Sequence, residues 1–175
     1  MNNPVYKEEI TWQNEKYRIE VFDTRNFSKL NDVKQVYGFI FNEDGELLIV
    51  KCGEDPWGLP GGTPEPGDKS WEDTLKREVD EEANVEIKDI VPAGYITSTY
   101  LGTKTTTAKI GSMIRAVALV KSFKKRAIDP ASGVINEMKF IPVKEFLNYC
   151  KWGKNGKAQL KIMLQRYKEI LSKIS

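Results

Sequence analysis

From Gly58 to Val85 the chain reads GLPGGTPEPGDKSWEDTLKREVDEEANV, and its second half is crowded with carboxylates. On a helix, Glu78 and Glu82 are i, i+4 neighbours and Glu78 and Glu81 are i, i+3 neighbours. At about 100° per residue the three fall within an arc of roughly 100°, overlapping the apolar stripe of Trp71 and Leu75. Such carboxylates repel one another. Beside an apolar stripe they are also partly desolvated, which raises the cost of keeping them ionised. One or more divalent cations would offset that cost. The same pattern also suits a helix with a solvated acidic face, since Glu is a good helix former. Arg77 precedes Glu78 on a different side of the helix and reads as an orienting partner for a carboxylate or for the preceding loop. Upstream, Gly61 and Gly62 let backbone approach a ligand or metal closely because they carry no side chain. A backbone carbonyl there could complete an oxygen cage, and Pro60, Pro64 and Pro66 stiffen the loop.

The chain contains no histidine. That excludes a Ser-His-Asp triad, a Cys-His dyad and a His-ligated zinc site. A metal here must be held mostly by oxygen, which favours hard cations such as Mg2+, Mn2+ or Ca2+.

The elements that must position these groups are legible in outline. EEITWQNEKYRIEVFDT alternates as a hairpin, with Asn14 near its turn. VYGFIF and ELLIV read as strands joined through NEDG. The Gly- and Pro-dense stretch that follows is a loop. The next helix opens on a capping box, Ser70 with Asp73 in place of the usual Glu. It carries Trp71, Leu75 and Val79 on one face and stops at Asn84 in a left-handed C-cap. Strands are predicted over VEIKDIVPAGYITSTYL, TAKIGSMIRAVALVKSF and EMKFIPV, and helices over VKEFLNYC and GKAQLKIMLQRYKEILSKIS. In the last helix Leu160, Leu164, Tyr167 and Leu171 are the expected buried face. Strands that do not alternate regularly with helices point to mixed α/β layers rather than a doubly wound parallel sheet.

The 175 residues suit one compact domain with a small appendage. The net charge of +2 names no partner, although basic residues dominate from Lys121 onward and could attract polyanions. Cys52 and Cys150 are isolated thiols, as expected in a reducing cytoplasm. No apolar stretch approaches the roughly 18 residues of a membrane span, and MNNPVYKEEI lacks a signal-peptide core.

WGLPGG and the acidic helix together resemble the Nudix box, G-x5-E-x7-R-E-U-x-E-E-x-G-U, where U is a bulky apolar residue. Arg77, Glu78, Val79, Glu81, Glu82 and Val85 match its second half. Asn84 stands where the pattern has its last glycine. Counting from Gly62, Asp68 takes the place of the first glutamate, followed by eight residues rather than seven before Arg77. The resemblance implies an α/β/α sandwich with a mixed β-sheet over residues 31–175, preceded by the N-terminal β-hairpin over 1–30. It implies metal-dependent hydrolysis of a nucleoside diphosphate linked to another moiety. Glu78, Glu81, Glu82 and a carbonyl at Gly61 would bind Mg2+ or Mn2+, with Arg77 beside them.

With no histidine, the general base must be a carboxylate: a box glutamate, Glu137 or Asp129. Glu137 also reads as a strand-end acid and Asp129, before Pro130, as a turn residue. Gly62, Trp57 and Arg115 are candidates for substrate contact, and the Lys121–Arg126 cluster could reach phosphates. Trp12, Tyr95, Tyr100 and Trp152 are further aromatics on which a base could stack. The alternative function is a nucleotide-sensing module of the same fold that binds without turnover. An RNA-end binder is disfavoured, because the basic C-terminal helix lacks interleaved aromatics beyond Trp152 and Tyr167. The hairpin could extend the sheet or exchange with a second subunit in a homodimer.

Overall fold

The computed structural model describes residues 3–30, 32–102 and 109–174. Residue 31, Thr107, Ala108 and Ser175, which belong to segments expected above, lie outside the described residues. In chain order the elements are β1 (Tyr6–Trp12), β2 (Glu15–Phe22), β3 (Val33–Phe41), β4 (Leu47–Lys51), β5 (Gly61–Gly62), α1 (Trp71–Ala83), β6 (Val85–Tyr100), β7 (Lys109–Phe123), β8 (Glu137–Ile141), α2 (Phe146–Tyr149) and α3 (Gly153–Ile174). A short 3-10 turn at Val143–Glu145 leads into α2.

The strands form one mixed sheet in the order β1-β2-β6-β7-β3-β4-β8, with β5 paired to β3. The β1–β2 turn is two residues long, and both Gln13 and Asn14 have positive φ, the backbone that a tight hairpin needs. The hairpin extends the sheet within the chain, because β2 pairs antiparallel to β6. β3 and β7 run parallel.

Alternation along β3 and β4 sends side chains into two separate cores. Val36, Ile40, Leu48 and Val50 pack with Leu75 and Val79 of α1. Phe39, Phe41, Leu47 and Ile49 pack with Phe146 of α2 and Met163 and Ile170 of α3. Helices thus cover both faces of the sheet, giving the α/β/α arrangement. Gly38 lets α1 approach closely, since a Cβ there would lie 2.9 Å from Leu75 Cδ1.

Local chemistry sets the ends of α1. Ser70 Oγ accepts from the Asp73 amide at 3.2 Å, and the Asp73 carboxylate accepts from the Lys69 amide at 3.3 Å. Asn84 is left-handed at φ 55°. Its Oδ1 accepts from the Ala127 amide at 2.9 Å, which ties the helix end to the segment after β7.

The buried face of α3 differs from the expected one. Leu164 and Leu171 are exposed, while Gln159, Ile162, Met163, Arg166 and Ile170 are buried. Leu160 and Tyr167 are only partly buried at the edge of the core. The stripe is rotated because two polar side chains occupy it with partners. Arg166 pairs with Asp23 and donates to the Pro92 carbonyl, and Gln159 accepts from Arg115. A wheel drawn from apolar residues alone misses such positions.

Candidate active site

β3 carries two neighbours on the edge away from β7. Phe41 pairs with Leu47 of β4 at one end, and Val36 and Tyr37 pair with Gly62 and Gly61 of β5 at the other. The Gly38 amide also donates to the Pro60 carbonyl at 3.0 Å. The glycine turn is therefore hydrogen-bonded to the sheet just where α1 crosses it. Gly61 has φ 144°, and a Cβ there would lie 2.1 Å from the Val36 carbonyl oxygen. A Cβ on Gly62 would lie 2.4 Å from Glu78 Oε1. Backbone and carboxylate are thus brought together at a point that only glycine leaves open.

The three glutamates have different surroundings. Glu82 Oε2 accepts from the Gly61 amide at 2.9 Å, and its Oε1 lies 3.2 Å from the Cys52 thiol, which donates to it. Burial raises the Glu82 pKa to about 7, with Glu78 and Asp129 adding to the rise against the bonds from Gly61 and Cys52. Burial also raises Glu78, opposed by Arg77. Glu81 and Glu78 each lie within hydrogen-bonding distance of the Arg77 guanidinium, at 3.0 and 3.1 Å.

Arg77 organises the junction between loop and helix. It binds both carboxylate oxygens of Asp68, at 3.2 and 3.1 Å, and donates to the Thr63 carbonyl at 3.0 Å. The Arg77 hydrogen bonds hold Asp68 well below its ordinary pKa, at about 2. Asp68 thus anchors the arginine from the loop despite the extra residue before α1.

Among the described residues no three acidic or cysteine side chains converge on a ready-made cation position. Two of the three glutamates instead carry Arg77 as counter-ion. The donor set still fits a hard cation, since Glu78 and Glu82 are desolvated oxygen donors beside the Gly61–Gly62 backbone. Both cysteines have pKa values pushed up to about 12, chiefly by burial, so neither offers a thiolate nucleophile near neutral pH.

The other expected residues scatter. Glu137 opens β8 opposite Lys51 and pairs with it at 3.3 Å. Asp129 is buried in a turn, accepting from the Ala131 amide at 2.8 Å and from Asn136 at 2.6 Å. Trp57 packs edge-on to Tyr149, and Lys139 Nζ lies 4.1 Å from each ring centroid, so that aromatic face already carries a cation. Lys121 and Lys124 pair with Glu86 and Asp80, and Arg126 donates to the Ala83 and Asn136 carbonyls.

Arg115 is 7% exposed and, among the described residues, has no carboxylate partner. Burial lowers its pKa to about 10, which still leaves it cationic at pH 7. Its Nε donates to Gln159 at 3.0 Å, and its guanidinium lies 4.8 Å from the Tyr37 ring centroid and 5.6 Å from that of Trp152. Gln159 donates to Asn155 at 2.9 Å, and Asn155 donates to Glu8 of the hairpin at 2.8 Å. Tyr37 lies within electrostatic reach of both Arg115 and Glu82. Tyr37, Cys52 and Gln159 were not legible as site residues. Their roles arise from strand pairings and helix packing that no local pattern encodes.

A mixed sheet clasped between helices, with a glycine turn laid against a glutamate-rich helix, defines a class of phosphoanhydride hydrolases. The chain belongs to the Nudix family, whose NUDIX domain model matches residues 33–162, and that family is one of pyrophosphohydrolases. No curated protein matches the sequence. Among solved structures, a mutant form of the Bacillus subtilis pyrophosphohydrolase BsRppH aligns with TM-score 0.67 and 16% identity, over 90% of this chain and 96% of that one. A NUDIX hydrolase from Nitrosomonas europaea aligns with TM-score 0.53 and 18% identity, over 79% of this chain and 90% of that one. A UDP-X diphosphatase aligns with TM-score 0.51 and 18% identity, over 81% of this chain and 66% of that one. At these identities the likeness is one of fold.

Proposed function

We propose that the protein hydrolyses the pyrophosphate bond of a nucleoside diphosphate linked to another moiety. The observation that carries this reading is the contact between Glu78 and Glu82 and the Gly61–Gly62 turn, with both carboxylates half-buried. Glu78, Glu81 and Glu82, with the Gly61 carbonyl, would hold Mg2+ or Mn2+. Such an ion neutralises pyrophosphate charge and acidifies an attacking water. The chain's own residues position and shield. Arg77, anchored on Asp68, fixes the loop and the outer carboxylates. Cys52 and the Gly61 amide hold the inner carboxylate of Glu82 in place. Gly62 leaves room for substrate to approach the backbone, Arg115 supplies a cation, and Trp57 meets substrate together with the Lys139 ammonium that lies over its ring. The proton released by the water goes to a carboxylate, either Glu137 or a box glutamate.

A panel of nucleoside diphosphate derivatives, assayed with Mg2+ and Mn2+ and with both products identified, tests the reading. Glu82→Gln should lower kcat at least about 100-fold, within the range typical of lost charge stabilisation or acid–base groups, and Glu137→Gln separates the two bases. The competing reading, a nucleotide sensor without turnover, draws on the hold of Arg77 over Glu78 and Glu81. Tight nucleotide binding with no product across the whole panel would establish it. A cytosolic location and a homodimer belong to the same proposal. Sedimentation velocity over a range of concentrations reads the latter.

A further inference from the structure

Next to the glycine turn lies a cavity of about 620 Å3 whose outer wall is the N-terminal hairpin. Ile10, Trp12, Tyr17 and Ile19 form that wall, and Gln35 and Met113 lie across from it. Thr63 closes the end nearest α1. Its carbonyl is the one that Arg77 holds. The hairpin precedes residue 33, where the family match begins, so this wall is a feature of the chain outside the matched domain.

Sheet register connects the cavity to the site. Gln35 pairs with Met113, and two residues further along the same strands Tyr37 pairs with Arg115. Residues two apart on a strand share a face and lie about 6–7 Å apart. The Gln35–Met113 end of the cavity therefore stands one strand repeat from the Arg115–Tyr37 pair, and Thr63 brings its lining to the residue that follows the glycine turn. α3 leaves it open: the helix begins at Gly153, and its Asn155 reaches the hairpin at Glu8, short of Ile10 and Trp12.

The lining chemistry selects the occupant. The walls are largely apolar and aromatic, with Gln35, Thr63 and Ser98 as the uncharged polar groups. Lys34 is the single charged lining residue, and it pairs with Asp32 at 2.7 Å. A phosphate would find no free cation there among the described residues. Trp12 stays 58% exposed although it lines the cavity, and it stands edge-on to Tyr17 at 6.0 Å. The volume is that of a small-ligand site. We infer that this cavity receives the nucleobase of the substrate, and that the hairpin, through Trp12 and Tyr17, sets base specificity. The inference rests on the pyrophosphohydrolase reading for its substrate class. A flat ring with polar edges stacks on such walls while its diphosphate extends past Thr63 toward Glu78 and Glu82.

Nucleosides without phosphate test the cavity apart from turnover. The full chain, labelled with 13C at the methionine methyls, is titrated by NMR with adenosine, guanosine, uridine and cytidine in the absence of metal. The Met113 methyl, identified by its loss in Met113→Leu, should shift saturably with at least one nucleoside. The methyl of Met163, on the buried face of α3, should stay put. Trp12→Ala, a truncation at an exposed strand end, should weaken that binding about tenfold, and Ser98→Phe, which fills the cavity, should abolish it. In turnover, Trp12→Ala should raise KM for the preferred nucleotide about tenfold with kcat within twofold. No Met113 shift with any of the four nucleosides overturns the inference, as does an unchanged KM in Trp12→Ala. A Met113 shift that follows protein concentration alone would place a second copy in the cavity and also overturn it. Saturable nucleoside binding without turnover of any diphosphate would instead leave the base site standing and refute the hydrolase reading.

Discussion

Gly61 and Gly62 are adjacent, yet their missing side chains do different work. At Gly61 an added Cβ meets backbone, the Val36 carbonyl at 2.1 Å, in a conformation of φ 144°. Neither partner can yield, so Gly61→Ala should destabilise the protein by about 2–4 kcal/mol, visible as a lower urea midpoint. At Gly62 the Cβ meets the free end of the Glu78 side chain, which can swing aside. Gly62→Ala should leave the urea midpoint within about 0.5 kcal/mol of the parent while lowering activity at least tenfold, because Glu78 is displaced from the turn. Asp68 makes a third case at this scale. Its pKa is depressed from 3.8 to about 2 by Arg77, so the pair contributes stability that is full above pH 3.8 and is lost as pH falls toward 2. Asp68→Asn should cost about 1–2 kcal/mol near neutral pH, between the surface and buried limits for ion pairs. Parent and variant should converge in acid, as urea titrations at a series of pH values would show. The order Gly-Gly, Arg, Glu, Glu, Glu was readable in the chain, because an i, i+3, i+4 pattern is local. Arg77 was also readable as a partner of a carboxylate or of the preceding loop, as its bonds to Asp68 and the Thr63 carbonyl bear out; that the carboxylate is Asp68 was not, since an extra residue in the loop removes the spacing on which such a reading depends.

At the scale of elements, α1 shows how much a helix end can carry. Asn84 meets the need for φ 55°, accepts from Ala127 and returns its side-chain amide to the Asp80 carbonyl at 3.0 Å. Asn84→Ala should lose about 1–2 kcal/mol of stability by thermal or urea unfolding, from left-handed strain and a buried amide left unpaired. Asn84→Gly should recover the strain component only. The ends of α1, the hairpin turn and most strand positions followed from caps, turn residues and alternation. The phase of α3 did not, because Gln159 and Arg166 are buried by partners on β7, β6 and the segment after β2. Polar residues belong to a core when something distant satisfies them, and hydropathy along one helix cannot register that.

Across the whole molecule, mixed α/β layering was legible from the irregular alternation of helix and strand. The parallel pairing of β3 with β7 was not, since it joins strands whose sequence separation spans α1 and β6. That pairing is what sets Tyr37 beside Arg115, on the face of the sheet that the hairpin and α3 share. It also gives β3 a free edge on which the glycine turn docks. Because Gly38 donates to Pro60, and Gly61 and Gly62 are paired in register with Tyr37 and Val36, the turn cannot detach without breaking rungs of the central ladder. A segment that composition alone marks as loop should then exchange its backbone protons with deuterated solvent on the slow timescale of the innermost strands. The catalytic end of the protein would be as rigid as its heart, and adaptation to different substrates would have to come from the rim.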